Sequence, residues 1–432
     1  MEEITDSMYS KEDIRVLRDC AAQVKRCAED PRNERLREMW REHTSLRGTR
    51  PPIFVWPDGS WVEILPEAAL RCADRGARAL EWELRHRIIR AEHIRDDVPI
   101  EPSVVFERWR IPIQADWGLK PKRVESGHSR GAWAYEPVVT CPADWKALTM
   151  PRLDRDDTVV RSRYDAAREA IGDMLAVELT GIKSFSFHMM HLYCDFRGLE
   201  NMMMDLCEEP EMVHDVIAFF TEGYLSMLRE ADAAGLIALN NNAHHHYTGG
   251  LGYTRDLPPR EYDPAHVHLS DVWGAAEAQE FALVSPEMHE EFILQYERRI
   301  LENFGLNGYG CCDDLTRKLD NVKKIKNLRR VGISPWADIE KCADQLKKDY
   351  IMTWKPQPAY LSGEAYNESF VENYLTESLR RGKHGYMEIV LRDTHTCRGE
   401  LQRFMQFVAS ARRAIDAVYG AEEDNFTPHS MA

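Results

Sequence analysis

The sequence predicts an α/β protein, a (β/α)8 TIM barrel carrying a helical N-terminal extension, and three observations predict it. Past about residue 180, short apolar runs such as GIKSFSFHM, LIALNN, RRVGIS, YIMTW and YMEIVL alternate with helical stretches to near the end of the chain. Such alternation implies parallel strands joined by βαβ crossovers. No GxGxxG follows a first strand and no GxxxxGK[ST] occurs, so an open nucleotide-binding sheet lacks its motif and a closed barrel is favoured. The first 95 residues instead read as mostly helical, residues 11–45 being rich in Arg, Glu, Leu and Ala. They set an extension at 1–95 apart from a barrel at 96–432.

Taken in order, residues 11–45 read as helix, and RGTRPPIFVWPDGSW at 47–61 breaks it with three prolines and a PDG turn. A second helix at about 66–95 follows from Leu80, Leu84, Ile88 and Ala91 at helical spacing. VPIEPSVVFERWRIPIQ contains strand-like stretches, and the charged, Pro-containing region 120–165 is expected to be a long connection or a lid. Pro210 opens a helix bearing Met212, Val216, Phe219, Phe220 and Met227, and Gly235 closes it before the strand LIALNN. The clearest helix starts at the cap Ser285 with Pro286 first and Glu287 at the positive end of the dipole. Met288, Phe292, Tyr296, Ile300 and Phe304 give it one stripe, and Gly305 ends it. A short strand at 306–310 leads into Cys311, and a helix is expected at 314–328 from Leu315, Leu319, Val322, Ile325 and Leu328. Helices at IEKCADQLKK, near 369–381 and at 399–419 complete the alternation.

The chain has 432 residues, 44% of them hydrophobic, enough for a sizeable core. Its net charge of −16 argues against general nucleic-acid binding, which wants a basic surface. No apolar run approaches the roughly 18 residues of a membrane span, and the polar, acidic start MEEITDSMYSKED is unlike a secretory signal. Ten cysteines without a CxxC pair read as reduced thiols, and together these features lead us to expect a cytoplasmic protein.

In a barrel of this kind the site lies at the C-terminal ends of the strands. That makes candidates of His188, Asn240 to Asn242, Asp271, Trp273, Cys311, Trp336, Lys355 and Cys397. Cys311 and Cys397 would then face one mouth from different strands, where two thiolates and a third ligand can hold a catalytic zinc with one open position. An isolated cysteine is otherwise a small buried hydrophobe. Glu277 and Glu280, after VHLSDVW, are the first choices for the third ligand, with Asp338 and His244 to His246 behind them. The three adjacent histidines open a Gly-, Pro- and Tyr-rich loop at 247–266 and are expected to belong to a lid rather than the metal site. His188, Asn240, Trp273 and Trp336 are the candidate substrate-binding residues, the tryptophans as stacking faces or as plain core. Without GxSxG or HExxH, a serine hydrolase or metalloprotease has no support.

Three segments carry a resemblance: RGLENMMMDLCEEPEMVHDVIAFFTEGYLSML (197–228), SDVWGAAEAQEFALVSPEMHEEFILQYERRI (270–300) and YGCCDDLTRKLDNVKKIKNLRRVGISPWADIEKC (309–342). In order and spacing the region 180–419 resembles the uroporphyrinogen decarboxylase superfamily. The decarboxylase branch has an Arg-rich motif of the RQAGRY type, where this chain has only RGTRPP with Arg47 and Arg50. The other branch contains cobamide-dependent methyltransferases that bind zinc through an HxC motif and a later Cys. Here Tyr309-Gly310-Cys311 aligns with HxC and Cys397 with the later Cys, so both thiolates are kept and the histidine is replaced by Tyr309. The resemblance implies zinc on Cys311, Cys397 and a third ligand such as Glu280. It also implies a small methyl donor, favoured to be an aryl methyl ether, and a corrinoid partner protein carrying cobalamin. The helical extension is expected to form a homodimer contact or to wall off one side of the mouth. Two rivals follow: a metal-free decarboxylase-like enzyme acting on a carboxylated, porphyrinogen-type substrate, with arginines converging on its pocket, and a non-catalytic corrinoid-binding scaffold.

Overall fold

Eleven strands are present in the computed structural model, which describes residues 9–112, 115–125 and 133–421. They are β1 Ile53–Val55, β2 Ser103–Glu107, β3 Lys122–Glu125, β4 Trp133–Glu136, β5 Ala176–Thr180, β6 Ser186–Phe187, β7 Trp273–Ala276, β8 Leu306–Tyr309, β9 Leu328–Ile333, β10 Ile351–Trp354 and β11 Tyr386–Leu391. Seven form one parallel sheet in the order β1-β11-β10-β9-β8-β7-β6. Every residue of β1, β7, β8, β10 and β11 is buried, as expected of parallel strands covered on both faces. Neighbours follow chain order, except that the first strand lies beside the last, with Ile53, Phe54 and Val55 in register with Ile389, Val390 and Leu391. The protein is thus α/β with a seven-stranded parallel sheet, and β1 is drawn into it from within the N-terminal 95 residues.

Among the described residues no ladder joins β1 to β6. The expected strand LIALNN shrinks to one bridge, Ile182 to Ile237, and the chain after it fills the seam with side chains. Asn240 donates to the carbonyls of Lys183 (3.0 Å) and Trp273 (3.1 Å) and accepts from the Trp273 amide (2.9 Å). His245 stacks on Phe54 of β1, ring centroids 4.9 Å apart. The following segment packs buried against one face of the sheet, which corrects its expected role as a lid. His246 and residues 248–252 are buried, and a tight reversal is held by His246 N–H to Gly250 O (3.1 Å) and Gly252 N–H to His244 O (2.9 Å). Two glycines permit this close approach. A Cβ on Gly308 of β8 would lie 2.5 Å from His246 and Thr248, and one on Gly249 (φ +149°) would lie 2.2 Å from Thr353 of β10.

The helix capped by Ser285 forms as expected, its hydroxyl accepting from Met288 N–H at 3.2 Å. The helix expected at 314–328 contracts to Leu319–Val322. Its apolar residues Leu315, Leu319, Val322, Ile325 and Leu328 are all buried, but Leu328 already begins β9, so burial rather than one continuous helix explains them. A second, smaller core joins Val16, Leu17 and Val24 of the first helix, Leu80 and Leu84 of Arg75–Ile89, and Ala167, Ala170 and Ile171 of Thr158–Ile171. Packing in that unit therefore runs across residue 95. Region 120–165 supplies the antiparallel pair of β3 and β4.

A charged cluster is buried against the sheet. Arg330 of β9 stands 3.0 Å (Nε) from Glu388 Oε1 of β11, not aligned for a hydrogen bond, while its Nη2 donates to Glu388 Oε2 at 3.4 Å and to Leu251 O at 3.1 Å. Thr353 donates to Glu388 at 2.6 Å, and His43 Nε2 lies 3.4 Å from it. Arg330, Thr353 and Glu388 are fully buried and His43 nearly so. Burial alone would raise the Glu388 carboxyl, but Arg330, His43 and Thr353 outweigh it and hold it at about 2.

Candidate active site at the strand ends

The residue just past each strand of the main sheet faces the same end. His188 follows β6, Glu277 follows β7, Lys355 follows β10 and Arg392 follows β11, while Cys311 stands two places beyond β8. His188, Glu277 and Lys355 are nonetheless buried at these positions.

Cys311 Sγ lies 3.2 Å from the buried Lys355 ammonium and 3.3 Å from the Cys312 thiol. The bond from Cys312 and the charge of Lys355 bring the Cys311 thiol down to about 6, against burial and the nearby Glu277. Cys312, donating to that thiolate, is pushed up. Lys355 stands above its ordinary value, because the charges of Cys311 and Cys312 overcome the cost of burying an ammonium. The result is a thiolate–ammonium pair at neutral pH. We expect Lys355→Gln to move the alkylation midpoint of Cys311 up from about 6 toward the ordinary thiol range near about 8.5; iodoacetamide rates against pH measure it.

His188 and Glu277 form a second pair. His188 Nδ1 bonds Glu277 Oε1, and Nε2 meets Ser186 Oγ at 2.8 Å. Burial would raise Glu277, but the His188 bond prevails and the carboxyl is lowered. Tyr247 packs edge-on over His188 at 4.3 Å, and its hydroxyl is raised by burial and then by the charges of Cys311 and Glu277. Arg392 donates to Asp58 Oδ1 at 2.8 Å, tying the turn after β1 to the end of β11. Asp313 is buried with neither carboxylate oxygen hydrogen-bonded among the described residues, though Lys318 Nζ lies 4.0 Å from Oδ2, and burial pushes it up to about 7 against that charge.

The expected zinc ligands stand apart. Cys397 Sγ is buried against Glu63 Oε2 (3.5 Å), and burial followed by that bond raises the thiol. Glu280 Oε1 meets His191 Nδ1 at 3.1 Å, and its Oε2 is buried without a partner among the described residues. A zinc ion needs donors gathered round one point. Among the described residues, three or more His, Cys, Asp or Glu donors lie within 4.8 Å of one another only at Asp232, His266 and His268. Cys311, Cys397 and Glu280 as placed do not fit a zinc ion. Tyr309, which replaces the motif histidine, donates to Glu297 at 2.7 Å and lies 2.9 Å from His289 Nε2, so its hydroxyl is committed elsewhere.

The candidate substrate residues divide. Asn240 and Trp273 line a cavity of 590 Å³ together with Ser186 and Tyr247. The Asn240 amide is spent on the seam, and the Trp273 indole donates to Gly252 O at 2.9 Å. His188 belongs to the pair with Glu277. Trp336 is 70% exposed and takes no part in that cavity. Asp338 caps the helix Ile339–Leu346. Arg392 went unrecognised in the sequence, although its place directly after a strand was a signal.

No helix among the described residues is long and apolar enough to cross a membrane. No protein-family model matches the chain, and no curated protein does. Among solved structures, 23 chains match. One is a methyltransferase from Methanosarcina mazei, 10% identical, with a TM-score of 0.46, the match covering 88% of this chain and 98% of that one. At one shared residue in ten, the likeness is too remote to carry an activity from one chain to the other.

Proposed function

We propose that the protein is a methyltransferase that demethylates a small methylated substrate, favoured to be an aryl methyl ether, and passes the methyl group to the cobalamin of a separate corrinoid protein. The observation that most supports this reading is the Cys311 thiolate at a strand end beside the Lys355 ammonium, with Arg392 and the His188–Glu277 pair also at strand ends. In such a transfer the methyl carbon moves to the partner's cobalt(I) and the C–O bond breaks with its electron pair on oxygen. Lys355 and Arg392, paired as they stand with Cys311 and Asp58, are the cations that would turn to the phenolate oxygen as its charge develops, the role of charge stabilisation in a water-poor site. Glu277 fixes the His188 ring, and Tyr247 covers it.

The seven-stranded sheet is, on this reading, a barrel-like wrap whose strand ends form the mouth where the corrinoid protein docks. A homodimer through the N-terminal helices belongs to the same proposal. Zinc is assigned to Cys311, Cys397 and Glu280, whose donors would have to be gathered from their present partners.

The test is methylation of free cob(I)alamin by the purified full chain, with a panel of methoxyaromatics and methylamines, followed by absorbance. Turnover with a methoxyaromatic is the expected result; a folded protein inert toward every donor sinks the reading and favours a scaffold. About one zinc per chain, lost in Cys311→Ser and Cys397→Ser, supports the metal assignment, and zinc-free active protein removes it. A second reading, a metal-free decarboxylase-like enzyme, is favoured by Arg110 and Lys183 converging on the 590 Å³ cavity. Release of CO2 without any methylated cobalamin would select it.

A further inference from the structure

We propose that a small basic cavity of 210 Å³ at the N-terminal ends of β1, β10 and β11 binds a tetrahedral oxyanion, inorganic phosphate or the phosphate group of a monoester. It is lined by Arg50, Lys348 and Lys383 and by no aspartate or glutamate, in a chain whose net charge is −16. Arg50 stands three residues before β1 and Lys348 three before β10, and Tyr386 opens β11. In a parallel sheet these positions lie at the end opposite Cys311, Lys355 and Arg392. The cavity shares no lining residue with the 590 Å³ cavity.

The three cations keep donors to spare. Lys348 is exposed and forms no ion pair among the described residues. Lys383 donates to Val418 O at 2.7 Å, which offsets the negative end of the helix Gln402–Tyr419 and leaves two ammonium protons. Arg50 bonds Asp416 through Nη2, while its Nη1 is buried without a hydrogen-bond partner among the described residues. The hydroxyl of Tyr419, in the same lining, is buried and equally without one. Burial raises that hydroxyl to about 12, so it keeps its proton at neutral pH and can donate. Compensation of the helix end accounts for Lys383 alone. It leaves Arg50 Nη1 and the Tyr419 hydroxyl as buried donors without an acceptor, which is costly, and an oxyanion brings acceptors for both.

The acids whose charge reaches Tyr386 are engaged. Glu388, approached by His43 from the lining, is held by Arg330 and Thr353, and Glu42 bonds Arg255. Gly48 N–H donates to the Tyr386 hydroxyl at 2.5 Å, which fixes the turn carrying Arg50; a Cβ on Gly48 would lie 2.8 Å from that hydroxyl. The volume falls below the range of about 300–1,000 Å³ usual for small organic ligands, which limits the occupant to a group of phosphate size. Arginine recognises such a group by paired N–H donors and lysine as a point charge. An occupant would tie the segment before β1 to the loops before β10 and β11 and to the last helix.

Calorimetric titration of the full chain with sodium phosphate, in chloride buffer of matched ionic strength, tests the inference. One phosphate per chain is expected, with a melting temperature that rises as phosphate is added. Lys348→Met, at an exposed side chain, should fold as wild type does and weaken phosphate by about tenfold or more, the scale of one charge-assisted hydrogen bond. Lys348→Arg should keep the affinity, and Arg50→Met and Tyr419→Phe should each lower it. Glycerol 3-phosphate is the second arm: tighter binding than phosphate identifies a monoester as the ligand, and weaker or no binding identifies the free ion. No binding at millimolar phosphate, an equal thermal effect of sodium chloride, or binding indifferent to both Lys348→Met and Arg50→Met overturns the inference. The readout is binding alone, so its outcome is independent of the proposed methyl transfer.

Discussion

Serine in place of Cys311 is expected to lower methyl transfer to cob(I)alamin by about a hundredfold or more, the scale for removing one preorganised charged group from an active site. Serine fills nearly the same volume but carries no charge at neutral pH, so the buried Lys355 ammonium loses its counter-charge as well. A fall in stability therefore accompanies the loss of activity, and the two must be separated. Cys311→Asp separates them. It returns an anion beside Lys355, so urea unfolding should recover toward wild type while turnover does not. A site in which Cys311 merely packed would behave in the reverse way. The pH profile gives an independent reading. The wild-type rate should decline as pH falls through about 6, where the thiolate is protonated. A rate indifferent to pH between 5 and 8 would remove Cys311 from the reaction.

Glu388→Ala is expected to be the most damaging single substitution for stability. It leaves the fully buried Arg330 guanidinium without its anion and frees Thr353 and His43, and breaking a buried pair by removing one partner costs about 3–5 kcal/mol. Urea unfolding at pH 7 measures it, and a loss below about 1 kcal/mol would mean that water reaches Arg330. Because the folded carboxyl lies near 2, below its unfolded value of roughly 4.3, it binds fewer protons when folded. Its contribution is present in full above the unfolded value and is lost as pH falls from there through about 2. The variant should accordingly lack the acid-dependent share of destabilisation that wild type shows across that window.

What the sequence made legible was the part governed by local pattern. Ser285, Pro286 and the stripe from Met288 to Phe304 specify a helix through capping and spacing alone, and the runs RRVGIS, YIMTW and YMEIVL are strands because both faces are buried. The LIALNN run has the same composition and is not a strand of the sheet. Whether its backbone pairs depends on Asn240, Lys183 and Trp273 meeting across long separations, which no local pattern encodes. The histidine run misled for a related reason. His244 to His246 with glycines nearby read as part of a lid, whereas the glycines at 249 and 308 are what allow the segment to pack inside. At the site, the sequence supplied Cys311 and the strand-end rule. It could not supply Lys355 as the thiol's partner, nor show that Cys397 turns to Glu63 and Glu280 to His191, because those pairings are decided by side-chain direction.

The seam between β1 and β6 bears on how such a protein works through a cycle. The 590 Å³ cavity and a larger one of 860 Å³ sit along it, the larger lined by Phe54 and Trp56 and the smaller by Lys183 to Ser186, rather than on top of the strand ends. Anything large that settles over the strand ends leaves that flank uncovered. If an acceptor protein docks over the strand ends, as proposed, small molecules would have a side door and need not wait for it to leave the front.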